Sequence, residues 1–469
     1  MATHGGGGAA AAAAAAGGGR AYELLVLGAS GFTGQFVVQE LARVAAGDDF
    51  RTSGLRWAVA GRNRSKLEEV LRKAAEALEM PQLKSDIGII LCDVGDPSSL
   101  EAMCKQTSAV LNCVGPFRFH GEPVVKACVD NGTHYIDISG EPQYLEEMYF
   151  KYSSQAADKG AYIIGSCGFD SIPADLGVLF TRNNLKGTLT AVESIVSFHS
   201  GPEGSCIHDG TWQSAIHGIS DQDNLRKLRK QIGYKPLPVV GAKQKRRGAV
   251  FYSNELKQYA VPFPGSDVSV VKRTQRYLYE NMDESPVQYC AYVTVGGIAS
   301  VIKLMFAGFL FLFFTKFSFG RNLLIKYPKF FSFGYFSKEG PTQKQINDSS
   351  FTMMIFGEGY SEGQDPQQRK PNVKICTQVK GPEAGYVATP IAMVQAAVTL
   401  LKERSSLPLK RHIRAAGYTL QKLHSNKDRA HYVSLGSSKA QKLHSNKDRA
   451  HYVSLGSSKA QKKKARREE

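Results

Sequence analysis

The chain has 469 residues, 42% of them apolar and 22% charged, enough for two or three globular domains with real cores. Its formal charge of +17 is uneven: beyond residue 420, thirteen Lys and Arg stand against four Asp and Glu, so the body is only mildly basic and no specific nucleic-acid partner is called for. Eight cysteines without a C-x-x-C pair read as a reduced, intracellular protein with neither a zinc site nor a disulfide framework.

Residues 1–20 carry Gly5 to Gly8, eight alanines from Ala9 to Ala16, and Gly17 to Gly19. They have no basic start and no Leu-rich stretch, so they read as a disordered leader and not as a secretory signal. Leu24 to Leu27 is an apolar run of the kind that forms a buried parallel strand. Gly28, Gly31 and Gly34 follow at i, i+3 and i+6, and an amphipathic helix pattern runs from Gln35 to Ala45. Strand, glycine turn and helix together let backbone N–H groups face a phosphate. Gly28 would allow the turn, Gly31 the approach of a pyrophosphate, and Gly34 close helix–strand packing. The spacing is looser than G-x-G-x-x-G, and an empty glycine turn is the alternative.

The alternation then continues. Strands are expected at Trp57 to Ala60, Ile87 to Leu91, Ala109 to Val114, Thr133 to Ile138 and Ala161 to Gly165. Helices are expected at Ser65 to Leu78, Ser98 to Lys105 (capped by Ser98), Val124 to Asn131 and Tyr144 to Lys159. Six alternating strands make a doubly wound α/β parallel sheet, which places a ligand at the glycine turn. The second strand ends in Gly61-Arg62-Asn63-Arg64 with no carboxylate for ribose hydroxyls. Arg62 suits a 2′-phosphate instead, so NADP(H) is favoured over NAD(H). Asp93 is placed at the adenine edge, and Val114 and Gly115 under the nicotinamide ribose.

Five motifs in order now carry a resemblance: Gly28-Ala-Ser-Gly-Phe-Thr-Gly34, Ala60-Gly-Arg62, Asn112-Cys-Val-Gly-Pro-Phe117, Tyr135-Ile-Asp-Ile-Ser-Gly140 and Gly168-Phe-Asp-Ser-Ile-Pro-Ala-Asp175. The chain resembles the saccharopine dehydrogenase family from about Tyr22 to about Leu401. The resemblance implies a Rossmann-type domain (21–167), an inserted α+β domain (168–380) and a returning helix (381–402). It also implies an NAD(P)-dependent oxidoreductase, with Gly28, Ser30, Gly31, Phe32, Thr33 and Gly34 in the cofactor turn. The family includes saccharopine-type amino-acid enzymes and a bacterial enoyl reductase acting on lipid intermediates.

Asp137 and Asp170, at strand exits, are the candidate proton donors, with loop capping as the alternative. His199, His208 and His217 are nine apart, which is no metal-ligand spacing. His208-Asp209-Gly-Thr-Trp212 is a candidate lining for a substrate pocket, and Lys245-Arg246-Arg247 reads as solvated. Ser166 to Gly177 reads as an ordered loop. Arg118 is one candidate carboxylate binder, while Arg226 and Arg229 read as surface-helical.

Between Lys303 and Lys316 lie twelve residues, five of them Phe, without a charge. At ~1.5 Å per residue they reach about 18 Å, against a bilayer core of ~30 Å. Insertion of 298–316 into one leaflet is favoured over a core helix, with Lys303, Lys316, Arg321, Lys326 and Lys329 at head-group depth. That places the protein at the cytosolic face of an internal membrane or on a lipid droplet, and tilts the substrate toward a lipid-like molecule. A non-catalytic nucleotide-binding scaffold and a saccharopine-type amino-acid enzyme are the alternatives, and self-association stays open. Gln421 to Ala440 recurs unchanged as Gln441 to Ala460. Two copies cannot build a solenoid, so 403–469 reads as a disordered basic tail, its repeat a recent duplication or a gene-model artefact.

Overall fold

The computed structural model describes residues 19–47, 50, 54–367 and 370–403, with backbone alone at 414–415 and 451–454. The Ala/Gly leader through residue 18 and nearly all of the basic tail, including its duplication, lie outside the described residues. The described residues divide into two compact units: those within 1–168, 223–232 and 385–416 form one, and those in the intervening segments the other.

The first unit alternates as expected: β1 (Tyr22–Leu27), α1 (Phe32–Ala45), β2 (Trp57–Gly61), α2 (Arg64–Ala77), α3 (Leu83–Asp86), β3 (Gly88–Leu91), α4 (Pro97–Gln106), β4 (Thr107–Asn112), α5 (Phe117–Asp130), β5 (His134–Asp137), α6 (Pro142–Asp158) and β6 (Ile163–Gly165). Its six strands are parallel in the order β6-β5-β4-β1-β2-β3. Leu24, Leu25 and Val26 have no exposed surface, as a central parallel strand covered on both faces requires.

Two boundaries differ from expectation. Asp96, not Ser98, caps α4, its side chain accepting from the Ser98 N–H. The α5 helix starts seven residues before Val124 and runs through Pro123. Pro123 has no N–H to donate to the Phe119 carbonyl, yet the helix continues through it.

In the second unit α7 (Ile172–Asn184) begins inside the stretch expected as loop, with Pro173 in its first turn. Then come β7 (Thr188–His199), β8 (Ile207–His208), α8 (Asp209–Ser220), α9 (Gln222–Ile232), β9 (Phe251–Ser253), β10 (Gln258–Pro262), α10 (Asp267–Met282), β11 (Gln288–Gly296), α11 (Ile298–Thr315), α12 (Ser318–Lys326), α13 (Pro328–Phe331), β12 (Phe336–Ser337), α14 (Gln343–Asn347), β13 (Ser350–Tyr360) and β14 (Val373–Pro382). A mixed sheet runs β14-β13-β7-β11-β10-β9, with β7 antiparallel to β13 and parallel to β11. Arg247, expected as solvated, pairs with Glu193 at 2.9 Å and lies 4.8 Å over the Phe251 ring.

Two segments rejoin the first unit. The α9 helix is held there by Arg229, which pairs with the buried Glu146 at 2.6 Å and so is not merely surface-helical. The second is α15 (Thr389–Lys402), which packs against α1. Its apolar composition fits a core helix, since Met393, Val394, Ala397 and Leu400 are fully buried.

The aromatic stretch of the second unit is longer than the sequence reading allowed. Lys303 does not start the α11 helix but sits in its second turn, so eighteen residues are helical, reaching about 27 Å. Length therefore no longer excludes a span. One flank of α11 is nevertheless fixed to protein: Val301 and Thr315 are buried, Phe311 lies 4.7 Å from Trp212, and Phe314 lies 5.2 Å from Phe331. Trp212, Ile216 and Leu324 form the small core beneath it, and the Trp212 indole N–H donates to the Leu324 carbonyl at 2.9 Å. Trp212 thus seats α11 and α12. His208 caps α8, its Nδ1 accepting from the Gly210 N–H at 3.2 Å.

Candidate functional site

Parallel register brings the ends of β1 to β5 to one edge of the first sheet: Leu27 stands beside Ala60 and Asn112, Gly61 beside Leu91, and Asn112 beside Asp137. The residues expected around the cofactor, namely the glycine turn, Arg62, Asp93, Val114 and Gly115, all follow these ends. The turn is built closely. Gly28 has a φ of 78°, its N–H donates to the Ala60 carbonyl at 3.0 Å, and the Gly31 N–H donates to the Gly28 carbonyl at 2.9 Å. A Cβ on Gly34 would lie 2.1 Å from the Gly28 oxygen, so only glycine lets α1 approach the strand this closely. No side chain caps α1 and no acid lies in its first turn. Ser30 and Gly31 are exposed, and the first N–H groups of the helix lack intrahelical partners. This is a free anion-binding end.

The other residues divide by task. Phe32 spends its ring on Tyr386 at 4.9 Å and Phe36 at 5.7 Å, so its share in a cofactor site is its backbone N–H. Thr33 is half-buried, and Val114 packs under Gly28, whose Cβ would meet it at 2.7 Å. Gly115 is exposed. Arg62 is exposed, whereas its neighbours are occupied: Asn63 caps α2 and Arg64 faces Glu68 at 3.7 Å. Asp93 is exposed and turns its Oδ1 to the Gly95 N–H at 2.9 Å.

Beneath this edge lies a buried polar network that periodicity could not reveal. Asn112 accepts from the Val114 N–H at 3.0 Å and donates to the Tyr135 hydroxyl at 3.1 Å. Tyr135 donates to Asp137 Oδ2 at 2.9 Å, and Tyr144 lies 2.9 Å from the same hydroxyl. Asp137 Oδ1 accepts from the Ser139 and Ser166 N–H groups, each at 2.9 Å. Glu141 accepts from the Phe117 N–H at 2.9 Å and pairs with Arg118 at 3.0 Å, fixing the start of α5 just after Gly115. Arg118 is therefore engaged and not open to a substrate carboxylate. The only sequence signal for this network was polar residues inside otherwise apolar strand ends.

Asp137 is 1% exposed and accepts on both oxygens, so it braces the strand ends from below. Burial, opposed by these bonds, pushes its carboxyl up to about 6. A carboxyl raised on folding contributes stability that is full below the unfolded value near 3.8 and is lost as pH rises through about 6. Relative to the parent, Asp137→Asn should therefore gain stability between pH 5 and 7.5 by about 1.4 kcal/mol. Urea unfolding at each pH measures it; parallel curves for parent and variant would contradict the assignment.

Asp170 lies in the second unit and is half-buried. Its Oδ2 accepts from the Ser266 N–H at 3.3 Å, and burial pushes its carboxyl up. Asp267 nearby is raised well above the ordinary range, first by burial and then by the charges of Asp170 and Asp175. Among the described residues, no group of three or more His, Cys, Asp or Glu is placed to hold a metal.

An open α/β edge with a glycine turn, a free helix end and an unoccupied arginine defines a dinucleotide-binding protein. Comparison with known proteins sharpens this. A family model described as the saccharopine dehydrogenase NADP binding domain matches residues 24–164. The human saccharopine dehydrogenase-like oxidoreductase is 67% identical over 389 residues, 83% of this chain and 90% of that protein. A Caenorhabditis elegans protein called lipid droplet localized protein is 39% identical, over 82% of this chain and 91% of that one. Among solved structures, the saccharopine dehydrogenase (L-Glu forming) of Saccharomyces cerevisiae shares the fold at a TM-score of 0.50 and 14% identity, covering 87% of this chain and 98% of that one. The chain belongs to the saccharopine dehydrogenase family, an oxidoreductase family, and carries its nicotinamide-dinucleotide-binding domain.

Proposed function

We propose that the protein is an NADP(H)-dependent oxidoreductase working at a membrane or lipid-droplet surface on a lipid-like substrate. The observation that carries the surface reading is an apolar face left in water. Ile302, Met305, Phe306, Phe309, Leu312 and Phe313 of α11 are each about half exposed or more, and Phe319 and Phe330 are 74% and 76% exposed. A contiguous patch of this kind marks a docking or membrane surface. Because one flank of α11 is anchored to protein along its length, the helix lies in the interface plane with its free face in acyl chains. The name of the nematode relative agrees with a lipid-droplet location.

In the first unit the chain's own residues supply the binding chemistry. The open end of α1 and the Gly28–Gly34 turn take the pyrophosphate, Arg62 a 2′-phosphate, and Asp93 the adenosine side, while Val114 and Gly115 run beneath the nicotinamide ribose. The nicotinamide, when bound, supplies the hydride chemistry. Asp137 positions β4 and β5; Asp170, half-buried and with its carboxyl pushed up by burial, is the proposed proton donor. A saccharopine-like substrate needs free arginines for its carboxylates, and Arg118 and Arg229 are both already bound to buried glutamates. This favours the lipid-like substrate over the amino-acid one.

The cofactor part is tested by titration. A charge-assisted contact from Arg62 makes NADPH bind roughly 10–100-fold tighter than NADH. Arg62→Ala should erase the difference and leave NADH affinity unchanged. Equal affinity of the parent for both nucleotides would overturn the NADP(H) preference.

A further inference from the structure

Beside the apolar face, α12, α13 and the segment after β12 border an open recess of about 410 Å³ lined by Lys326, Tyr327, Pro328, Lys329, Phe330, Lys338 and Glu339. Three lysines and one glutamate thus line one small space, an excess of two positive charges. Each of the three lysines is exposed. Lys326 lies 5.4 Å over the Tyr327 ring, which holds its ammonium toward the recess wall. The single carboxylate is partly spoken for: Glu339 is held below the usual range first by its own backbone N–H, then by the Ser337 hydroxyl, with Lys329 and Lys338 adding to this.

The apolar wall decides what anion fits. Phe330 lines the recess and, among the described residues, is the most exposed large apolar side chain, at 76%. Phe333, two residues beyond α13, is 64% exposed. A soluble anion would use the lysines and leave these rings in water. A phospholipid uses both, its phosphate among the ammonium groups and its acyl chain along Phe330 and Phe333. The volume suits a phosphate-bearing head group, and the excess of positive charge selects against a zwitterionic one.

We propose that this recess binds the phosphate head group of an anionic phospholipid, so that the protein chooses an anionic surface and does not merely adhere to any apolar one. The proposal rests on the membrane-surface reading and adds a site to it. Lysines near an anionic surface each strengthen binding roughly fivefold, so the three together account for on the order of 100-fold.

The test uses the full chain and two kinds of vesicle, pure phosphatidylcholine and phosphatidylcholine with one fifth phosphatidic acid. The parent should partition far more strongly onto the anionic vesicles. Lys326→Ala/Lys329→Ala/Lys338→Ala should lose that increment, on the order of 100-fold, while binding phosphatidylcholine as the parent does. The charge-matched Lys66→Ala/Lys243→Ala/Lys245→Ala should keep it, and glycerol phosphate in solution should not compete. Retention of the anionic increment in the recess variant, or equal loss in the charge-matched one, overturns the site and leaves the apolar face standing. Efficient competition by glycerol phosphate makes the ligand a free phosphate and overturns the lipid assignment. A parent that binds neither vesicle overturns the membrane-surface reading itself.

Discussion

Gly34→Ala should abolish nucleotide binding, with NADPH affinity falling by on the order of 100-fold or more. The added methyl would sit 2.1 Å from the Gly28 oxygen, 2.9 Å from the Gly28 carbonyl carbon and 3.0 Å from the Ala29 Cα. All three are backbone atoms of a turn held on its other side by the bonds from Gly28 and Ala29 to the Ala60 carbonyl. No side chain is available to rotate away, so the start of α1 must move off β1, costing about 1–3 kcal/mol of stability. The N–H groups aimed at the pyrophosphate move with it. Gly31→Ala is the useful contrast, because its methyl would meet only the Gly28 oxygen, at 3.2 Å. That variant should keep its fold and lose affinity, since the methyl projects from the exposed turn where the phosphate approaches. Thermal unfolding with a fluorescence titration separates the two: Gly34→Ala loses both properties, Gly31→Ala only the second. Parent-like affinity in Gly34→Ala would remove the glycine turn from the site.

The sheet of the first unit was legible because a parallel strand buried on both faces writes itself as an unbroken apolar run, as Leu24 to Leu27 does. The glycine turn was legible because steric exclusion at Gly34 leaves one residue type. The strand-end arginine stood out because a carboxylate was missing where ribose hydroxyls are otherwise held. What escaped depends on distance in sequence. Nothing near Glu141 says that its carboxylate meets the Phe117 N–H and Arg118, 24 and 23 residues upstream. Nothing near Arg229 points to Glu146, 83 residues away. Local rules also misled where tertiary context outweighed them. The helix expected from Val124 begins seven residues earlier, at Phe117, and carries Pro123 in its interior. Lys303 reads as the edge of an apolar segment, yet an exposed lysine is at home on the solvent side of a helix that continues past it. Nor does the local sequence show that Trp212 anchors the platform under α11 or that His208 caps α8.

The second large effect concerns the apolar face, and here the geometry changes which side chains to alter. Phe311 packs on Trp212 and belongs to the core under α11, so its removal would confuse unfolding with release. Phe306, Phe309, Phe319 and Phe330 are 56%, 66%, 74% and 76% exposed, so little of their surface supports the fold. Replacing exposed side chains ordinarily changes stability by no more than about 0.5 kcal/mol each. In contact with acyl chains each ring is worth on the order of 1.5–3 kcal/mol. Even at half that value, four together shift partitioning by at least roughly 100-fold.

The decisive measurement is co-flotation of the purified chain with phospholipid vesicles or isolated lipid droplets, with NADPH affinity determined on the same preparations. The parent should float, and Phe306→Ser/Phe309→Ser/Phe319→Ser/Phe330→Ser should remain in the soluble fraction with NADPH affinity unchanged. A quadruple variant that floats as well as the parent, or that loses NADPH binding along with its membrane, would contradict the account of a dinucleotide-dependent enzyme seated on a lipid surface by this face.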